Sequence, residues 1–166
     1  MNGPFFELIP EDNGQKLLME VLGFRKCNFA MGISIVLSKI EKDFKNRFAI
    51  GVVDDDKFKS GHFYKYTEKI AETNRLIQLR KPNTKHFLIV IQPAFERWVW
   101  EQAIQKEISP SKYTFHDFDI FCRATKNDFL RNNHHVRRFL TDIYHSQSPG
   151  FVTMATWIEK LYEKHF

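Results

Sequence analysis

The segment "FAIGVVDDDKFKSG", residues 48–61, decides how the chain is read. Its first half is apolar at consecutive positions, as a strand buried on both faces of a parallel sheet requires. It then runs into three carboxylates, Asp54, Asp55 and Asp56. Adjacent like charges repel, and burying them unpaired is costly. Solvent, the neighbouring Lys57 and Lys59, or a divalent metal must offset them. Side chains at i and i+2 share a face of a strand. Asp54 and Asp56 are therefore the natural pair, and Asp55 is expected to point elsewhere.

Outward from this strand, the N-terminal side reads as strand (5–9), helix (14–24), a second strand at "KCNFAM" (26–31) and a helix (34–46). In the last of these Ile35, Val36, Ile40 and Phe44 form one stripe. On the C-terminal side, "KFKSGHFYKY" reads as a basic aromatic loop. A short helix at "TEKIAETN" follows, then strands "RLIQLRK" and "HFLIVIQ", then the helix "PAFERWVWEQAIQK" with Pro93 at its start. Alternating strands and helices predict an α/β fold: a mostly parallel open sheet flanked by helices, over residues 1–110. Residues 111–166 predict helices only, a C-terminal extension packed on the same domain. Phe118, Phe121, Cys122, Thr125 and Phe129 share one helix face, and Val136, Phe139, Leu140 and Ile143 another.

The chain has 166 residues, 43% of them hydrophobic, which suits one domain with a substantial core. No apolar run approaches the roughly 20 residues of a membrane span. The N-terminus lacks a signal-peptide pattern, and Cys27 and Cys122 stand apart with no CxxC spacing. The expectation is a cytoplasmic protein with two free thiols and no membrane partner. Charge is uneven: residues 1–56 carry a net −2 and residues 57–166 a net +7. An acidic cluster in a basic chain suits a polyanion held by cations and acted on at the acids. A pI above 9 also occurs without such a role.

Ligands of open α/β sheets sit beyond the carboxyl ends of the strands. Glu11 and Asp12 follow the first strand, and Glu96 follows "HFLIVIQ" within a few residues. Each also fits a helix N-terminus, where acids are favoured. Lys57, Lys59 and Lys65 interleave with Phe58, Phe63, Tyr64 and Tyr66 beside the acids. They suit phosphates and stacked bases, or the aromatics fold back onto the core. "RNNHHVRRF" offers Arg131, Arg137 and Arg138 as a phosphate-binding face or as a solvated helix face. No Ser/His/Asp or Cys/His arrangement is legible.

The order strand–Glu–helix–strand–helix–strand–DxD resembles the TOPRIM domains of primases, topoisomerases and overcoming-lysogenization-defect nucleases. The resemblance rests on "FFELIPEDNGQKLLMEVLG", "IGVVDDDK" and "VIQPAFERWVW", and covers residues 5–105. It implies metal-dependent phosphodiester chemistry on DNA or RNA, with Mg²⁺ or Mn²⁺ held by Asp54, Asp56 and Glu96. Glu11 would be the catalytic glutamate, as general base or ligand. It also implies an alternative, a non-catalytic module that holds a phosphate or a partner protein such as an ATPase. A response-regulator receiver and a haloacid-dehalogenase-type phosphatase begin with similar strands. Both place their acids on the first strand, and Gln92 and Phe58 stand where those folds need other residues.

Overall fold

The computed structural model describes residues 3–55, 61–127 and 133–166. Asp56, Lys57, Phe58, Lys59, Phe129 and Arg131 lie outside the described residues. Five strands form one mixed sheet in the order β1-β2-β5-β4-β3. They are β1 (Leu8–Pro10), β2 (Ala49–Asp54), β3 (Glu68–Thr73), β4 (Leu76–Arg80) and β5 (His86–Ile91). The β1/β2 and β2/β5 pairs are parallel, and the β5/β4 and β4/β3 pairs are antiparallel. The fold is thus α/β, but its sheet is mixed.

β2 is the buried middle strand the sequence implies. Ile50 and Val52 face one core with α1 (Asn13–Val21) and α3 (Phe95–Gln105). Ala49 and Val53 face the other, with α2 (Ile33–Asp43). β5 alternates in the same way, Phe87, Ile89 and Ile91 against Leu88 and Val90. Gly51 is dictated by contact: a Cβ there would lie 2.7 Å from the Leu88 side chain and 2.9 Å from Val36. The helices α4 (Phe118–Thr125), α5 (His134–His145) and α6 (Pro149–His165) share the first core with the strands, α1 and α3. Among the described residues no helix is long and apolar enough to cross a membrane. Cys27 and Cys122 are both free thiols.

Several local expectations are corrected. "TEKIAETN" is not a helix but the edge strand β3, paired with β4. Asn74 and Arg75 both take left-handed φ, +51° and +56°, and join Thr73 to Leu76 as a two-residue hairpin turn. "KCNFAM" forms no regular strand. Asn28 and Ala30 do donate backbone hydrogen bonds to Leu8 and Pro10 of β1, but Lys26 at φ +58° breaks the extended run. Ile35 is exposed, and the buried stripe of α2 is Ile33, Val36, Leu37 and Ile40. Pro93 precedes α3 rather than opening it, with Ala94 as the N-cap and a cis Gln92–Pro93 bond before it.

Candidate functional site

β1, β2 and β5 run parallel and side by side, so their carboxyl ends open on one edge of the sheet. Glu11 follows β1, Asp54 ends β2, and Glu96 sits in the first turn of α3 after β5. All three line one cleft of about 570 Å³, together with Asp12, Asp55, Pro93, Thr125 and Lys126. Backbone connectivity brings the acids to that edge.

Hydrogen bonds tie the cluster to the fold. The Asp54 backbone N–H donates to Glu11 Oε2 at 2.8 Å. Asp54 Oδ1 accepts from the Phe95 N–H at 3.0 Å and from Gln15 Nε2 at 2.9 Å. Gln15 is fully buried, and its Oε1 accepts from the Glu11 N–H at 3.0 Å. Asp12 caps α1 by accepting from the Gln15 N–H at 2.7 Å. Glu96 Oε1 accepts from the Thr125 hydroxyl at 3.0 Å, so α4 closes one wall. The Asp55 N–H continues the β2/β5 ladder to the Ile91 carbonyl at 2.9 Å. The Asp55 carboxylate accepts from Gln92 Nε2 at 3.1 Å. Asp55 is also among the residues that line the cleft.

Crowding of acids marks the electrostatics. Burial, and then the carboxylates of Asp12, Glu11 and Glu96, push the Asp54 carboxyl up to about 8. The Phe95 N–H opposes this. Burial also raises Asp12, to about 6, against its bond from Gln15 and helped by Glu96. Lys126 is the cation that lines the cleft among the described residues. The donors are all hard oxygens, the set that suits a divalent ion completed by water and phosphate oxygens. Among the described residues, no group of three or more His, Cys, Asp or Glu side chains already encloses a metal position.

The basic residues do not gather around the acids in the same way. Lys65 ends a 3-10 turn, Phe63–Lys65, on the α2 side of the sheet. Phe63 and Tyr66 are buried in that core, so of the described loop aromatics only Tyr64 is exposed to stack. Arg137 donates to Glu20 Oε2 at 2.8 Å, and Arg138 lies 5.8 Å from the Tyr113 ring centroid. They serve separate surroundings rather than one face.

Gln15, Thr125 and Lys126 escaped the sequence reading. Gln15 falls inside the helix read at 14–24 with nothing to mark it, and its burial depends on α1 leaning over β2. Thr125 and Lys126 belong to the C-terminal helices, which no strand-end argument connects to the acids. In comparisons with family models, curated proteins and solved structures, nothing matches the chain.

Proposed function

We propose that the cleft at the carboxyl ends of β1, β2 and β5 is a TOPRIM-like site for divalent-metal-dependent phosphodiester chemistry on nucleic acid. One observation carries this reading: Glu11, Asp54 and Glu96, from three separate strand ends, line one cleft with Asp12. Each acid also accepts a hydrogen bond from the fold, but none of those bonds needs the other carboxylates beside it. Proton uptake by Asp54 at neutral pH relieves the crowding in the free protein, and a divalent cation would relieve it when bound.

Asp54 and Glu96 would hold Mg²⁺ or Mn²⁺, with Asp56 beyond the described residues. The ion supplies charge neutralisation at a scissile phosphate and a more acidic bound water. Gln15 and the Phe95 N–H fix the Asp54 carboxylate, and Thr125 fixes Glu96. Glu11, as general base or ligand, is constrained by its bond to the Asp54 N–H, which anchors one oxygen at the end of β2. A cytoplasmic setting and nucleic acid as the polyanion belong to the same proposal; Lys65 and the described C-terminal arginines, Arg137 and Arg138, do not form one basic face beside the acids.

A second reading has its own support. The described acids do not enclose a metal position on their own, and Asp54 favours its neutral form near pH 7. A non-catalytic module that holds a phosphate or works with a partner ATPase meets both facts. Thermal unfolding with Mg²⁺, with Mn²⁺ and with chelator separates the two. An ion that binds only the folded state at a hundredfold excess over Kd stabilises it by about 2.7 kcal/mol. The metal reading expects a rise in midpoint for the native chain, lost in Asp54→Asn, together with metal-dependent cleavage of labelled DNA or RNA. An unmoved midpoint with both ions at millimolar concentration sinks it and leaves the binding module.

A further inference from the structure

A second pocket of about 480 Å³ opens beside α1 and is lined by Lys16, Glu20, Arg25, Lys26, Cys27 and Arg137. Among the described residues four cations thus face one carboxylate, and Lys16 also lies 5.0 Å from the Phe29 ring centroid. The bond from Arg137 to Glu20 uses that carboxylate. Arg25 and Lys26 are exposed and make no ion pair among the described residues. The remaining wall, Cys27, is no counter-ion: its thiol donates to the Phe24 carbonyl at 3.2 Å, and burial pushes it up to about 12.

The walls are held rigidly. Arg25, Lys26 and Cys27 lie on the segment that returns after α1, and its backbone is bonded to the N-terminal strand at both ends of this stretch. The Phe5 N–H donates to the Arg25 carbonyl at 3.2 Å, and the Asn28 N–H to Leu8 at 3.0 Å. The opposite wall, Arg137, comes from α5, so the pocket depends on the C-terminal helices packing against α1. Like charges that repel one another are kept together by the fold, which favours an anion between them.

The pocket also has a direction. Lys16 is four residues beyond Asp12 on α1, about 6 Å along the helix axis. From Lys16 the basic pocket runs along α1 and past its end at Val21 to Arg25 and Lys26, so one helix connects it to the acidic cleft. We propose that this pocket binds a phosphate of a single nucleic-acid strand that also passes the acidic cleft. The inference rests on the proposed function for the role of the cleft. The pocket's own chemistry, recognition of a phosphate group by guanidinium and ammonium donors, does not depend on metal.

The test is fluorescence anisotropy of a fluorescein-labelled single-stranded oligothymidylate in chelator, which leaves metal chemistry out. The native chain is compared with the doubly reversed Arg25→Glu/Lys26→Glu. A charge-matched control, Lys45→Glu/Lys85→Glu, alters exposed lysines at another pocket, beside Asn83 and Thr84. The expected result is a loss of tenfold or more in affinity for the first variant only. Its plot of log K against log salt should also be shallower by about 0.7, the one phosphate contact that the pocket supplies. Arg25→Ala/Lys26→Ala should lose affinity in the same order, and urea unfolding of each variant checks that the fold survives. Equal losses in both reversed variants would show a diffuse charge effect and overturn the pocket, as would no binding by the native chain in chelator. Competition by inorganic phosphate at the concentration of strand phosphate would overturn the strand as ligand and assign a free phosphate. Failure of the cleft reading looks different: the metal melt is flat while this binding persists.

Discussion

Gln15 Nε2 donates to Asp54 Oδ1 at 2.9 Å, a bond between a fully buried amide on α1 and the last residue of β2. The same amide's oxygen accepts from the Glu11 N–H. One side chain therefore holds the first two strand ends together at the cleft, and it does so from a helix whose N-cap, Asp12, is itself one of the crowded acids.

Replacing Gln15 by Leu should destabilise the fold by about 1–3 kcal/mol, the usual cost of leaving a buried polar partner unmet. Asp54 is the group left short of a donor, because the Glu11 N–H also donates to the Val52 carbonyl at 3.1 Å. Urea unfolding of Gln15→Leu, Asp54→Ala and the double variant gives the coupling between them. Strict additivity would show that the bridge carries no energy.

Stability in chelator should fall as pH rises. An acid whose folded pKa lies above its unfolded value binds its proton more tightly in the folded state. Its contribution is complete below about pH 4. It is lost through about 6 for Asp12 and about 8 for Asp54. Each such proton contributes a slope of about 1.4 kcal/mol per pH unit in its window. Asp54→Asn keeps an acceptor for Gln15 and Phe95 but has no proton to lose. It should flatten the fall between about pH 5 and about pH 8. A native chain as stable at the upper pH as at the lower, with Asp54→Asn parallel to it, contradicts the crowding.

The central strand and its acids were legible because β2 and β5 are buried on both faces, which leaves an unbroken apolar run in the sequence. Their carboxyl ends then point to Glu11, Asp54 and Glu96 by connectivity. β3 was not legible. Its burial follows its edge position, with Ile70 half exposed, so no apolar alternation survives. The hairpin signal was present in Asn74, a residue that tolerates left-handed φ, but Arg75 in the second turn position hid it. Gln15 and Thr125 acquire their roles only through packing of α1 and α4 across the sheet end, which no local pattern encodes.

The metal reading makes the aspartates unequal. Asp54→Ala should abolish the calorimetric signal of Mn²⁺ binding, and Asp55→Ala should weaken it far less. The Asp55 carboxylate accepts from Gln92, outside the bond network that joins Asp54 to Glu11, Gln15 and Phe95. Equal losses in the two variants would remove the assignment of Asp54 as ligand.

Gly14 fixes how closely α1 approaches α3 at the rim of the cleft. A Cβ at this position would lie 2.6 Å from Cε1 and 3.0 Å from Cδ1 of Phe95. Phe95 is fully buried and its ring cannot swing away into solvent. Gly14→Ala therefore gains helix propensity but overpacks the interface, and the overpacking should win, with a net loss of about 1–3 kcal/mol. The displacement falls on the residues that set the site. Phe95 donates its N–H to Asp54, while Asp12 and Gln15 flank the new methyl group on α1. Gly14→Ala should consequently lower the urea midpoint and reduce the Asp54→Asn effect on pH dependence together. Phe95→Leu in the same chain makes room for the methyl group and should restore part of both. A Gly14→Ala protein more stable than the native chain would show that the helix and ring separate at little cost, and that the rim of the cleft is not set by this contact.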